Sequence, residues 1–377
     1  MIIGIIGSGA MGTGIAQVAA MAGEEVRLFD KSNEAGKHAI LNIQKSVNKL
    51  VEKGRLSPSE GVAVTGRIYL CEQLETFADC DLVIEAIIED IEVKKELFVT
   101  VENLVSPSCI LATNTSSLSV ASIAASLNKP ERCLGIHFFN PPYLMMLVEV
   151  IPAIRTNPEI TLKIVNLIES WGKAAVVARD TPGFIVNKVA RPYYSEAIRI
   201  LEEGIADIFT IDQAMTSHGF KMGPFTLMDF IGHDVNYRVT ESVWKSFYFD
   251  SKYRPSFTQL RLVEAGFLGR KSGRGFYNYS DKPEPEPIIK TELLDGIFMR
   301  IISMLINEAA DTVGQQICSV DDVETAVKLG VNYPKGLLEW GNELGYDNIV
   351  RTLEDLFDTY HEERYRVCRY LRNLAKI

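Results

Sequence analysis

Ile2-Ile3-Gly4-Ile5-Ile6-Gly7-Ser8-Gly9-Ala10-Met11-Gly12, running on to Glu25-Val26-Arg27-Leu28-Phe29-Asp30, decides the architecture of this chain. A short apolar run meets a glycine-rich turn. A helical pattern follows through Ile15, Val18, Ala19 and Ala22 and stops at Gly23, and a second strand then ends on an acid. In the order strand, G-x-G-x-x-G, helix, strand, acid, each glycine has its own task. Gly7 makes the tight turn, Gly9 lets a pyrophosphate approach the backbone, and Gly12 lets helix and strand pack closely. The phosphates then meet the N–H groups of a helix N-terminus, with Met11 among the contacts. Asp30 would accept hydrogen bonds from ribose hydroxyls and repel a 2′-phosphate, so the expected cofactor is NAD rather than NADP.

Outward from this unit, strand and helix patterns alternate to about Arg179. Asp81 to Ala86 reads as a buried strand, followed by a helix containing Glu89, Lys94, Leu97 and Phe98. Cys109 to Thr113 is another strand and ends in the polar turn Asn114-Thr115-Ser116-Ser117. Leu134 to Phe139, Met146 to Ile151, a helix from Leu162 to Trp171 and a strand from Ala174 to Ala178 follow. That order predicts a doubly wound, largely parallel sheet over residues 1–182, with its ligand crevice at the carboxyl ends of the strands. Between the second and third strands, Glu34 to Glu60 reads as an inserted helical pair. It carries Lys45, Lys49 and Lys53 at i, i+4 and i+8, on one face.

After Asp180-Thr181-Pro182-Gly183 the strands stop, and Phe184 to Leu201 begins a region of helical periodicity. The proline-rich stretch 281–289 reads as a stiff linker between two helical domains, 183–280 and 290–377. Across it the chain repeats. Glu196-Ala197 matches Glu308-Ala309 at an offset of 112 (308 − 196), and Ile211, Ala214 and Met215 fall on Val323, Ala326 and Val327. Ile231-Gly232-His233-Asp234 meets Leu344-Gly345-Tyr346-Asp347, so two copies of one helical unit follow the nucleotide unit.

Composition bounds the partners. A formal charge of −10 over 377 residues argues against nucleic acid or an anionic membrane, so an anionic substrate needs a local basic patch. The six cysteines show neither C-x-x-C nor metal spacing, which suits reduced thiols in a cytoplasmic protein without a metal. The apolar N-terminus is expected to be the first strand rather than a signal peptide, and no segment is long and apolar enough to span a membrane.

Two apolar runs carry the candidate chemistry. Leu134-Gly135-Ile136-His137-Phe138-Phe139-Asn140-Pro141-Pro142 ends near a histidine, and Leu147-Val148-Glu149-Val150 holds a carboxylate. A strand-end histidine with a carboxylate in reach is a general base with an orienting partner. By itself such a pair is more often a satisfied core histidine; the dinucleotide unit ahead of it shifts the reading to catalysis.

Together the glycine loop, Asn114-Thr115-Ser116-Ser117-Leu118, His137-Phe138-Phe139-Asn140-Pro141, Leu147-Val148-Glu149-Val150, Gly183-Phe184-Ile185-Val186-Asn187 and the Gly269 to Tyr277 segment resemble the L-3-hydroxyacyl-CoA dehydrogenases. The similarity covers essentially the whole chain. It implies a Rossmann-type α/β domain followed by two tandem all-α domains of the 6-phosphogluconate-dehydrogenase C-terminal kind. It implies NAD-dependent oxidation of L-3-hydroxyacyl-CoA to 3-oxoacyl-CoA, with His137, Glu149, Ser116 and Asn187 as the active-site group. Glu89, Lys94, Ser116, Asn140 and Lys271 fall where the family contacts its cofactor, and Lys49 and Lys53 where it contacts coenzyme A. Lys45 extends that row by one turn.

Short-chain 3-hydroxybutyryl-CoA is the default substrate. Val189-Ala190-Arg191-Pro192-Tyr193-Tyr194 and Tyr253-Arg254-Pro255-Ser256 resemble the branch acting on 3-hydroxyadipyl-CoA, where Arg191 could read a distal carboxylate; an ordinary salt bridge is the plainer role for that arginine. The other readings are a dehydrogenase of free hydroxy acids and a non-catalytic NAD-binding protein on the same scaffold. The stretch Tyr143 to Leu147 lacks a basic residue that many relatives carry. At the repeat offset Asn187 becomes Met299, so the second copy is expected to serve packing. It would supply within one chain the partner that relatives with one helical domain take from another subunit, giving a monomer with an internal pseudo-dimer in place of a homodimer.

Overall fold

Ile2–Ile6 forms β1, buried in four of its five positions, which is what a strand covered by helices on both faces requires. In the computed structural model, which describes residues 1–280 and 290–376, β1 lies inside an eight-stranded sheet. The order is β3-β2-β1-β4-β5-β6-β7-β8. The partners are β2 (Glu25–Phe29), β3 (Ile68–Cys71), β4 (Leu82–Glu85), β5 (Ile110–Thr113), β6 (Cys133–Phe138), β7 (Leu147–Pro152) and β8 (Ala174–Val177). Only β6 and β7 pair antiparallel; the other neighbours are parallel. Strand order reverses between β1 and β4, which places a crevice at their carboxyl ends.

Six helices cover this unit: α1 (Ala10–Met21), α2 (Asn33–Glu52), α3 (Pro58–Gly66), α4 (Ile91–Leu104), α5 (Val120–Ala124) and α6 (Pro158–Ser170). Ile3, Ile5, Val26, Leu28, Leu82, Ile84, Ala112, Leu134, Ile136 and Val148 form the sheet's core and are fully buried. Each large aliphatic side chain there contributes about 1.5–3 kcal/mol.

Three local details depart from the sequence expectation. The inserted pair runs to Gly66, not to Glu60: Glu60 is the third residue of α3, where it closes a capping box with Ser57. The edge strand β3, directly after it, was not anticipated; its Tyr69 is exposed and its alternation weak. Glu89 precedes α4 rather than lying on it, because Asp90 caps that helix through the N–H groups of Glu92 and Val93.

The chain divides into two compact units, Met1–Phe184 and Ile185–Ile377. The second is helical, and residues 281–289, read as the linker, lie outside the described residues. Its helices are α7 (Val186–Val189), α8 (Arg191–Glu202), α9 (Ile208–Thr216), α10 (Pro224–Ile231), α11 (His233–Ser246) and α12 (Phe257–Glu264), then α13 (Thr291–Gly314), α14 (Val320–Gly330), α15 (Leu337–Leu344), α16 (Tyr346–Tyr360) and α17 (Arg369–Ala375). The helical periodicity from Phe184 to Leu201 is carried by two helices, α7 and α8, that part at Ala190. Pro192 has no N–H to give and its ring would clash with the carbonyl of Lys188, so α7 must stop before α8 starts.

The repeat is visible element by element. α9, α10, α11 and α12 correspond to α14, α15, α16 and α17, and the junction glycines Gly232 and Gly345 share positive φ values of 97° and 82°. Asp212 accepts the N–H groups of Phe225 and Thr226 at the start of α10. In the second copy Glu324 accepts those of Leu338 and Glu339 in the same way.

Candidate active site

The glycine loop joins β1 to α1, and each glycine answers a different constraint. Gly7 has φ +102°, and a Cβ there would meet the carbonyl oxygen of Ala86 at 2.5 Å. A Cβ on Gly12 would stand 1.8 Å from the carbonyl oxygen of Gly7, so only glycine allows this approach of helix to turn. A Cβ on Gly9 would meet nothing within 4 Å. That open space lies over the first turn of α1, where Ala10, Met11 and Gly12 present N–H groups without intrahelical acceptors. The chain's own atoms thus leave a cradle for a pyrophosphate. A cavity of ≈ 470 Å³ continues from it, lined by Gly7, Gly9, Asp30, Ile88, Val93 and Leu97 among others, apolar enough for an adenine and acid-tipped for a ribose. Asp30 is already oriented: its carboxylate accepts from the Ser8 N–H and Oγ, both at 2.8 Å, and from the Ser32 N–H at 2.9 Å. Burial pushes this carboxyl up, but the hydrogen bonds from Ser32 and Ser8 outweigh it and hold it below the usual range. The residues fit NAD.

At the carboxyl ends of β4 and β5 a polar knot fixes the Asn114 to Ser117 turn. Lys94 is buried and its Nζ reaches Glu85 at 2.5 Å and Glu89 at 3.3 Å. Glu85 also accepts from Thr113 Oγ1, and Glu89 accepts from Thr115 Oγ1, the Ser116 N–H and the hydroxyls of Ser116 and Ser117. Burial raises the carboxyl of Glu89, yet the Lys94 ammonium and these hydrogen bonds bring it below its ordinary value. Lys94 is therefore committed to the carboxylates of this knot. Ser116 is not a helix cap; Ser119 performs that task for α5. Glu85, Thr115 and Asn114 were not singled out in the sequence. Asn114 Oδ1 accepts the Phe138 N–H at 2.9 Å, tying the serine turn to the end of β6.

β6 extends past β5: the parallel ladder ends at Thr113 against Gly135, and Ile136, His137 and Phe138 continue toward the carboxyl edge. His137 lies directly opposite Glu149 on antiparallel β7. Residues so paired point to the same face, so register alone brings the two side chains together. His137 Nδ1 and the Glu149 carboxylate are 2.7 Å apart. Glu149 is fully buried and His137 is 6 % exposed, with the rings of Phe139 and Phe184 at 4.5 Å and 5.8 Å. The following loop starts at exposed Asn140, whose bond to Pro141 is cis. The Tyr143 to Leu147 stretch, which has no basic residue of its own, is held by Lys173, which is buried and donates to the carbonyls of Pro142 and Met145 at 2.7 Å and 2.8 Å.

Lys45, Lys49 and Lys53 all stand exposed on α2 and at its end. The remaining expected residues belong to the second unit. Asn187 is half-buried in α7. Lys271 pairs with Asp234. Arg254 is exposed, whereas Arg191 is buried, donating from Nε to the Asn187 carbonyl at 2.9 Å and from Nη1 to Thr240 Oγ1 at 3.0 Å. Its guanidinium lies 4.9 Å from the Tyr194 ring centre and has no carboxylate partner among the described residues.

Comparison with known proteins agrees with this arrangement. The family model for the NAD binding domain of 3-hydroxyacyl-CoA dehydrogenase matches residues 2–181. The model for the C-terminal domain of the same family matches residues 183–279 and 297–377, the two helical copies. The chain is 37% identical to the 3-hydroxyadipyl-CoA dehydrogenase of Escherichia coli K12, over 99% of this chain and 97% of that protein. It is 43% identical to a probable 3-hydroxybutyryl-CoA dehydrogenase of Bacillus subtilis, over 74% of this chain and 97% of that one. The crystal structure of a 3-hydroxybutyryl-CoA dehydrogenase from Escherichia coli K12 superposes with a TM-score of 0.95 at 36% identity, covering 100% of this chain and 98% of the other. With both family models matched and a relative of this identity spanning nearly its full length, the chain belongs to the 3-hydroxyacyl-CoA dehydrogenase family.

Proposed function

We propose that this protein interconverts L-3-hydroxyacyl-CoA and 3-oxoacyl-CoA with NAD, using His137 as the general base. The observation that carries the reading is the 2.7 Å contact between His137 Nδ1 and buried Glu149 at the end of β6. Bound NAD supplies the hydride acceptor. Glu149 engages Nδ1 and so keeps Nε2 unprotonated and available for the proton of the 3-hydroxyl. As that proton arrives, the carboxylate stabilises the imidazolium without taking the proton itself. The flanking rings of Phe139 and Phe184 limit water around the imidazole and strengthen this interaction. Ser116 and Asn187 are assigned to the substrate oxygen, which they hold by hydrogen bonds so that carbon 3 is presented in a reactive geometry. The exposed lysines 45, 49 and 53 form the local basic patch that an acidic protein needs for the phosphates of coenzyme A. Oxidation of NADH by acetoacetyl-CoA, with NADPH for comparison, tests the reaction and the cofactor together.

Short-chain 3-hydroxybutyryl-CoA is the first substrate to expect. A second reading, 3-hydroxyadipyl-CoA, is favoured by one observation: Arg191 is buried beside Asn187 without a carboxylate partner among the described residues. A guanidinium in that state gains from a substrate carboxylate. Arg191→Ala should then impair 3-oxoadipyl-CoA reduction far more than acetoacetyl-CoA reduction; equal losses would retain the short-chain reading.

The second helical copy suits a monomer, since the two copies already face each other within one chain. A single species of 42.0 kDa in light scattering is the expected result; a dimer would favour the homodimeric alternative. Cys71, Cys80, Cys109, Cys133 and Cys368 are free thiols, in keeping with the reducing cytoplasm as its compartment. No helix among the described residues is long and apolar enough to cross a membrane.

A further inference from the structure

Asn187 sits on α7, a helix of four residues that is too short to hold a side chain in place by its own hydrogen bonds. α7 packs on α13 and α14, which belong to the second repeat. The residue next to Asn187, Lys188, is fully buried, and its Nζ reaches Glu308 at 2.5 Å, Thr312 Oγ1 at 2.9 Å and Asp311 at 3.4 Å. Glu308, also fully buried, accepts the hydroxyl of Tyr253 at 2.6 Å and pairs with Lys252. The neighbour of Asn187 is therefore tethered by the repeat that has lost its own asparagine.

The same cluster occurs a second time with the two copies exchanged. Arg300 takes the place of Lys188 (300 − 188 = 112), and Glu196 takes that of Glu308. Arg300 Nε donates to Glu196 at 2.6 Å, and Tyr365 donates its hydroxyl to Glu196 at 2.9 Å, as Tyr253 does to Glu308. Arg364 stands toward Glu196 where Lys252 stands toward Glu308. These are the reciprocal contacts of a two-fold interface, made inside one chain. The halves differ in what precedes the cation: Asn187 in one, Met299 in the other.

We propose that Glu308 is a positioning residue for the reaction: through Lys188 it fixes α7 and thereby the reach of Asn187 toward the substrate oxygen. The inference rests on the assignment of Asn187 made above. Burying a lysine and a glutamate is costly in stability and is recovered only by good geometry, so such a pair is better explained by the register it imposes. Burial raises the carboxyl of Glu308, but Lys188 and Lys252 bring it down to about 2, so the anchor stays charged throughout the neutral range. A reacting group displaced by about 1 Å can lose on the order of 10²-fold in rate. The mirror cluster supplies a built-in control, because breaking it disturbs an equivalent buried pair with no asparagine beside it.

The test compares Glu308→Gln with Glu196→Gln in the full chain, by thermal melting and by steady-state reduction of acetoacetyl-CoA well below both melting temperatures. Both should melt lower than wild type. Glu308→Gln should lose roughly tenfold or more in kcat with KM nearly unchanged, whereas Glu196→Gln keeps its kcat. In an Asn187→Ala background, Glu308→Gln should cost no further kcat, because positioning acts only through that side chain. Equal kcat losses in the two glutamine variants, or additive losses in the double variant, would overturn the role. Should Glu308→Gln not fold, Lys188→Arg keeps the charge and changes the tether's length; unaltered kcat there would equally overturn it. Full kcat in Asn187→Ala alone would instead reject the asparagine assignment, and the inference with it.

Discussion

Two histidines in this chain stand 2.7 Å from a carboxylate, and distance does not tell them apart. His233 is 0% exposed, and its partner Asp229 also accepts the N–H groups of Phe276 and Tyr277 and the Tyr279 hydroxyl. That pair fastens the segment after Gly275 to α10 and α11. His137 lies instead beyond the end of the β5 ladder, at the carboxyl edge that carries the glycine loop, and its partner comes from the neighbouring strand. His137→Ala should lower kcat by about 10²–10⁴-fold while leaving NADH binding in place; a kcat within a fewfold of wild type would remove it as the base. Glu149→Gln leaves the ring in a buried site with a partner that no longer selects its tautomer, and should also lose kcat more than KM. At the cofactor end, Asp30→Ala should weaken NADH and narrow the preference against NADPH, read as the ratio of their kcat/KM values. The His137–Glu149 pair was legible because its two strands are apolar runs with short connections. Glu85 and Asn114 were not: a buried carboxylate inside an apolar strand reads as strand, and the amide that bridges β5 to β6 reads as part of a turn.

At the scale of elements, the first thirty residues follow the sequence closely, because each glycine answers a separate constraint. Those constraints predict opposite outcomes for two similar changes. A methyl at Gly9 meets only open space, so Gly9→Ala should keep the melting temperature and lose NADH affinity, measured by fluorescence titration. A methyl at Gly12 would stand 1.8 Å from the Gly7 carbonyl, so Gly12→Ala should lower the melting temperature itself. A Gly9→Ala variant that binds NADH as wild type does would contradict the cradle. What the sequence did not disclose is equally physical. β3 is a four-residue edge strand whose Tyr69 faces solvent, so its pattern is too weak to distinguish from loop. Glu60 looked like the end of an insertion because its role is a hydrogen bond to Ser57, a capping box rather than a periodicity. The break between α7 and α8 was signalled by Pro192, but the helical pattern on both sides masked it.

On the whole chain, the internal repeat was legible at a handful of identities, yet its meaning was not. The copies were expected to pack, and the contacts add that each supplies the buried glutamate of the other. That exchange carries a pH signature. Glu308 has a folded value of about 2 against an ordinary 4.5, so its ion pairs stabilise the helical unit fully above that ordinary value and are lost as pH falls toward 2. Melting temperatures followed from pH 6 downward should stay level and then fall steeply below about pH 4.5, and Glu308→Gln should flatten part of that fall. A wild-type profile that is flat to pH 2.5 would contradict the charged anchor. The central claim, that His137 serves as the base of an NAD-dependent 3-hydroxyacyl-CoA dehydrogenase, is tested most directly by acetoacetyl-CoA-dependent oxidation of NADH in wild type and His137→Ala. Fast turnover in wild type, with turnover lost and NADH binding retained in the variant, is the predicted result; comparable turnover in both would contradict it.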